Sequence, residues 1–331
     1  MLRRTRRTLW IVVGVLLLLA AAIYLRFKAP PEAARLLPES DGIIYVNLRP
    51  IRAVLNKNLK PVVPAPEYQR FIDATGIDWE RDLNEVAIAL HRMSDPRGPN
   101  GPVAYSMVLV GKLDGKALAR YLEAHAAGSE RYSGQTIYSL PSEGRTVRVA
   151  QIGYDTVAIS NFPGTEQIHS MLDRHRTAAL PFSGSTLLSE HYSEIPILSV
   201  AWGMGQIGLP FSENGAIQVF GMALPLEPDT TFLASVHWAG SLKLRVVEIT
   251  DSEATATRQA ANLNMLLNLA RGATADLSEN TANNGLKEVL RTAEINQHRN
   301  RVVANATLPQ NLPVEMLNGA DGNNSALPTS K

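Results

Sequence analysis

Apolar positions in this chain follow three patterns. Residues 9–25 (LWIVVGVLLLLAAAIYL) form one apolar run without a charge. Further on, short stretches alternate apolar and polar positions, the period of a half-buried strand. Others repeat apolar residues every three or four positions, the period of a helix with one buried face. Short strand-like runs bounded by turn residues, with alternation at 242–250, predict strands at 43–48, 86–90, 105–110, 136–140, 146–152, 156–160, 197–202, 216–224, 231–238, 242–250, 293–296 and 301–308. Turn residues separate several of them, at Ser40-Asp41-Gly42, Gly153-Tyr154-Asp155, Ala239-Gly240-Ser241 and 297–300.

The helical period predicts a helix after Pro50 and another over 67–75, closed by Gly76. The clearest of the first half is capped by Asp114, runs to 127 and buries Leu118, Tyr121, Leu122 and His125. A short helix is expected at 165–174. The longest soluble one follows Thr250 and Glu253, spaced as a capping box, and runs to Arg271 with Gly272 at its end. Its predicted buried stripe is Ala256, Ala260, Leu263, Leu266, Leu267 and Ala270, and a last helix follows at 281–292. Residues 94–102 read as a mobile loop, and 177–196, with Pro181 and Pro196, as an irregular boundary.

The apolar run is 17 residues long, about 25 Å as a helix, the short end of what spans a bilayer core. Arg3, Arg4, Arg6 and Arg7 precede it, and Arg26, Lys28 and Arg35 follow more sparsely. That asymmetry favours a cytoplasmic N-terminus and an exported remainder. Trp10 and Tyr24 sit where amphipathic rings favour the interfaces. A cleaved signal peptide competes, with Ala20-Ala21-Ala22 as its small-residue site. The run continues through Ile23, Tyr24 and Leu25, which favours a retained single-pass anchor.

These readings divide the chain into a basic stub (1–8), an anchor (9–25), a spacer (26–37), two α+β halves (38–176 and 177–308) and a disordered tail (309–331). Residues 105–160 and 242–308 share one order: strand, acidic cap, helix, strand pair. The expected fold is therefore α+β, antiparallel sheets with helices on one face, with a duplicated β–α–β–β unit as one account of the order.

Composition narrows the partners. Residues 1–28 hold six basic and no acidic side chains, leaving 26 basic against 31 acidic, a net charge of −5 outside. An acidic domain lacks the electrostatic footprint of a nucleic-acid binder. The chain has no cysteine, which removes disulfides, thiolate metal sites, cysteine nucleophiles and S-acylation together.

Candidate chemistry is sparse. Gly203, Gly205 and Gly208 spell G-x-G-x-x-G after a strand, but Pro210 follows at once and leaves no room for the helix that would hold a pyrophosphate. His91, His125, His169, His175, His191, His237 and His298 have no metal-ligand spacing. Ser183-Gly184-Ser185 lacks a nucleophile elbow, and Gly111-Lys112 lacks the upstream glycine of a phosphate loop. Asp41, Asp114, Asp155 and Asp251 are explained by caps and turns. Asn305 and Asn323 open glycosylation sequons, the first inside a predicted strand. No catalytic, cofactor-binding or metal residue is assigned.

The segments LLPESDGIIYVNLRPIRAVL, TGIDWERDLNEVAIAL and VLVGKLDGKALARYL, with NRVVANATLP near the end, resemble a layout of bacterial exported, membrane-anchored proteins of unknown function. The resemblance covers the order of elements over 36–308. It implies an α+β exported module and carries no site residues across. The function expected is a periplasmic, non-catalytic interaction or scaffold module with a protein partner in the envelope. A small-molecule or lipid carrier, its apolar cavity lined by 197–224, is the first alternative. An enzyme whose site assembles from distant residues is the second.

Overall fold

The structure is a computed structural model that describes residues 2–55, 65–177, 184–206, 216–219, 222–225, 230–275 and 281–309. Helix α1 spans Leu2–Lys28 and a single turn, α2, spans Glu32–Arg35. Strand β1 (Gly42–Asn47) leads into α3 (Leu48–Leu55), then α4 (Pro66–Thr75) and α5 (Trp79–Asp82). Strands β2 (Leu83–Arg92) and β3 (Val103–Gly111) precede α6 (Gly115–His125). A meander follows: β4 (Gly128–Tyr132), β5 (Gln135–Ser142), β6 (Arg145–Gln151) and β7 (Thr156–Ser160).

The second half begins with α7 (Glu166–Arg176), α8 (Thr186–His191) and a 3₁₀ turn (Tyr192–Glu194). Then come β8 (Ser199–Gln206), β9 (Ala216–Val219), β10 (Met222–Pro225), β11 (Thr231–Trp238) and β12 (Leu242–Ile249). Helices α9 (Glu253–Ala275) and α10 (Thr281–Thr292) lead to β13 (Glu294–His298) and β14 (Arg301–Leu308).

Twelve strands form one antiparallel sheet in the order β13-β14-β12-β11-β8-β1-β2-β3-β7-β6-β5-β4, while β9 and β10 pair with each other. The β1–β8 pair, with Tyr45 opposite Trp202, joins strands from before and after residue 177. Each side of that pair runs through a central strand, a hairpin, a crossover that carries helix, and returning strands, four of them (β4 to β7) on the β1 side and two (β13 and β14) on the β8 side.

Strand alternation explains how the sheet is covered. On one face Ile43, Tyr45, Ala87, Ala89, Val108 and Ala158 meet Leu36 and Leu37 after α2, Ile168, Met171 and Leu172 of α7, and Leu188 of α8. On the other, Leu109, Val149 and Val157 meet Leu118 and Leu122 of α6, and Val302 meets Ala256, Ala260 and Leu263 of α9. Helices therefore cover both faces, not one. The strands carry apolar residues at odd and even positions alike, so both faces need a layer.

Local differences have local causes. Strand β4 (GSERY) lies at the sheet edge with mostly exposed polar side chains, so it lacks the alternation that marks a half-buried strand. Helix α8 interrupts the segment read as irregular, because the Ser185 hydroxyl accepts from the Leu188 amide as its cap. Helix α9 is capped by Ser252, which accepts from the Thr255 amide, while the Thr250 hydroxyl donates to the Ser252 and Asn300 carbonyls. It continues past Gly272 to Ala275, since one glycine costs a helix only about 1 kcal/mol.

Among the described residues no helix is long and apolar enough to cross a membrane. Helix α1 contains the apolar run, but the side chains of residues 9 and 11 lie outside the described ones. Also outside are Pro61, Pro64, Pro181, Gly208, Pro210 and the tail beyond Pro309.

Candidate functional site

One end of the sheet, here called basal, collects the ends of its central strands. The register sets Asn47 opposite Glu85, Glu85 opposite Val110, Val110 opposite Thr156, and Ser199 opposite His237. The last turns of α1 arrive at this end. Between them and the sheet lies a cavity of about 850 Å³, bounded by Ala22, Leu25, Arg26 and Lys28 on the helix side and by Tyr45, Glu85, Val110 and Trp202 on the sheet side. The segment after the 3₁₀ turn, Ile195 to Leu198, closes its flank. That volume is in the range of small-molecule sites.

The floor is aromatic. Tyr45 and Trp202 stack with centroids 5.3 Å apart and planes at 24°, and Tyr192 meets Trp202 edge-on at 5.6 Å. Burial, and then the hydrogen bond to Glu85, pushes the Tyr45 phenol far above its ordinary range, so it stays a neutral donor. Burial pushes Tyr192 up to about 12. Around the aromatics stand Arg26, Lys28, Arg35 and Arg49, with Glu32, Glu85 and Asp155 among them. The walls therefore mix flat apolar surface with charges of both signs, the equipment of a binding site.

A smaller cavity of about 380 Å³ adjoins it, sharing Lys28 and Ile195 and reaching His237, Arg245 and Asn305. The Arg301–Glu194 ion pair, 2.8 Å long, spans from β14 to the 3₁₀ turn nearby. His237 is pushed down by burial and by Arg245 and Lys243, and is neutral at pH 7. Its Nδ1 atom is buried without a hydrogen-bond partner among the described residues.

A nucleophile–base pair lies at the opposite end and escaped the sequence reading. His91 Nε2 and Ser106 Oγ share a hydrogen bond of 2.9 Å, and Ser106 Oγ lies 3.1 Å from Ser160 Oγ. The ring also bonds the Glu39 backbone carbonyl and meets Phe162 edge-on at 5.5 Å. Burial lowers its pKa to about 4, against the weaker opposing pull of Asp41. His91 is 4% exposed and both serines are fully buried. A serine sealed in this way meets no substrate, so the network works as a satisfied polar plug. The signal for it was alternation: His91 shares a face with Ala87 and Ala89, and Ser106 with Val108.

The other sequence candidates fall separately. Gly203 and Gly205 lie inside β8, so they form no phosphate-binding turn. His125 is exposed, hydrogen-bonded to the Tyr121 carbonyl and stacked on the Tyr121 ring, rather than partly buried. His169 stacks on Tyr132 at 3.7 Å and bonds Glu130 at 2.9 Å. Asp114 accepts from the Lys116 and Ala117 amides as the cap of α6, and Asp41 accepts from the Arg92 amide. Gly111 ends β3 where a Cβ would lie 2.6 Å from the Asp82 carbonyl oxygen, so this glycine serves close strand packing. Of the apolar 197–224 region, Ile197, Leu198 and Trp202 do line the basal cavity. Among the described residues no group of three His, Asp or Glu could hold a metal.

No family model and no curated protein matches the chain. Among solved structures it is similar to crystal form III of TP0453, at 11% identity and a TM-score of 0.45 over 88% of this chain and 99% of that one. Crystal form I gives 11% identity and a TM-score of 0.46 over 87% and 97%.

Proposed function

We propose that the chain is a membrane-anchored binding module of the cell envelope, with α1 as a retained single-pass anchor, the domain on the extracytoplasmic side, and the basal cavity as the place where it binds. The observation that carries this is the position of the cavity. The helix that holds the apolar run also forms one wall of the basal cavity of about 850 Å³. The apolar side chains of that helix stand uncovered by the domain, Leu17 at 66% and Leu18 at 73% exposure, which fits a lipid surround. The occupant favoured is a segment of an envelope protein, because a mixed charged and aromatic wall suits a peptide better than an acyl chain. The shared sequence of hairpin, crossover helix and returning strands, with α6 and α9 on the same face, supports a duplicated β–α–β–β unit beneath the site, the first copy carrying two further strands.

Carriage of a small molecule or lipid is the second reading, favoured by the stacked Tyr45–Trp202 floor. The experiment is crosslinking in the native membrane followed by capture of the full-length protein. A stoichiometric envelope protein, lost on filling the cavity with Val110→Trp, supports the interaction module. A bound small molecule or lipid, lost on the same change, supports the carrier. Turnover of a captured compound supports the enzyme reading instead.

A further inference from the structure

The exposed apolar residues of the domain are not scattered. Apart from those of α1 and of the outer side of α9, every large hydrophobic residue that is exposed among the described ones lies at the basal end: Tyr154, Ile197, Leu198 and Trp238. They come from three separate connections. Tyr154, 86% exposed, is in the β6–β7 turn beside Thr156. Ile197 and Leu198, 43% and 64% exposed, precede β8. Trp238, 49% exposed, ends β11 next to His237, which pairs with Ser199. Folding thus brings four uncovered apolar side chains to one end, which single scattered residues would not require.

Leu198 adds a second observation. Its φ is +66°, a conformation that glycine adopts freely and leucine does not, and the strain holds an apolar side chain out toward solvent. Ser199 fixes the turn, since its amide and its hydroxyl both donate to the Pro196 carbonyl. A leucine that is strained and uncovered in water loses on both counts unless something apolar receives it.

What receives it is indicated by continuity. Ile197 and Leu198 line the same cavity as Ala22 and Leu25 of α1, and Arg26, Lys28 and Arg49 flank them. The acidic groups lining this cavity are Glu32, Glu85 and Asp155; Glu194, paired with Arg301, lines the adjoining one, and Asp82 and Asp114 flank the same ends of β2 and β3. Tyrosine and tryptophan with basic neighbours is the composition favoured at a membrane–water interface. The opposite end instead carries the polar loop between β2 and β3.

We propose that the basal end is a lipid-contacting platform. Tyr154, Ile197, Leu198 and Trp238 enter the headgroup region of the leaflet in which α1 ends, and hold the domain flat against the membrane. The mouth of the basal cavity then opens at lipid level. This inference rests on the anchor reading above.

The absence of cysteine makes the test direct. Single variants Ser193→Cys and Ser241→Cys place a bimane label beside the platform and leave its four apolar residues intact. Leu17→Cys reports the anchor, and Ser94→Cys the opposite end. The full-length protein is reconstituted into phosphatidylcholine–phosphatidylglycerol vesicles containing lipid with a shallow nitroxide, and for Leu17→Cys into vesicles whose lipid carries the nitroxide deep in the acyl chain, at the depth of the middle of the 9–25 run. Labels at 193 and 241 should be quenched severalfold more than the label at 94. Adding Leu198→Asn and Tyr154→Ser, of which asparagine tolerates the positive φ, should remove most of the difference. Quenching at 17 with equal values at 193, 241 and 94 overturns the platform and leaves the anchor standing. No quenching at 17 overturns the anchor, and the platform with it.

Discussion

The His91 plug gives a stability test with a defined sign. In the unfolded chain its imidazole titrates near 6.5, and in the folded protein burial holds it neutral to about 4. The folded state therefore disfavours the proton. The contribution of neutral His91 is fully present above pH 6.5 and is lost as pH falls from 6.5 toward 4. A difference of some two and a half units corresponds to about 3 kcal/mol, a large part of the ~5–15 kcal/mol that stabilises a typical domain. The perturbation is His91→Gln, which keeps a polar group in the plug and removes the titration. The assay is urea unfolding of both proteins in detergent between pH 7.5 and pH 4, followed by tryptophan fluorescence. With a urea slope of about 3 kcal/mol per molar, the wild-type midpoint should fall by about 1 M more than that of the variant. His237 and Asp82 also titrate with shifted pKa values, but they are common to both proteins and cancel in the difference. Parallel midpoint curves would refute the reasoning, and would mean that protons reach His91 without opening the fold.

Three further outcomes are expected. Asp114→Ala removes the acceptor for two amides at the start of α6 and should cost about 1 kcal/mol in chemical denaturation. Gly111→Ala sets a methyl against the Asp82 carbonyl and the Leu83 Cα, both backbone atoms, and should cost roughly 1–3 kcal/mol in the same assay. At Leu198, glycine should leave thermal stability in detergent unchanged or raised. Isoleucine, β-branched at a positive φ, should lower it by about 1–2 kcal/mol.

Much of the fold was legible because local signals agreed with it. The Asp114 cap, the 3.6-residue stripe of α6 and the turn at Gly153 to Asp155 each needed only neighbouring residues. Strand β4 and helix α8 were not legible, the first because an exposed edge strand has no buried face to pattern, the second because its apolar contribution is little more than Leu188. The continuous sheet was beyond local reading, since the β1–β8 pair joins residues more than 150 positions apart. The candidate site was only partly legible. Residues 197–224 read as an apolar, cavity-lining region, but the meeting of Ile197, Leu198 and Trp202 with Tyr45, Glu85 and the end of α1 depends on the long-range register. The His91–Ser106–Ser160 network was missed for the same reason, as its members lie on three strands.

The most direct measurement puts a photoreactive side chain in place of Arg49, at the rim of the basal cavity, in the full-length protein in its native membrane. One discrete adduct is expected, a protein or a lipid, absent when Val110→Trp fills the cavity. A label at Arg49 that gives no more product than one at Ser94, or an adduct that persists with the cavity filled, would contradict binding at this site.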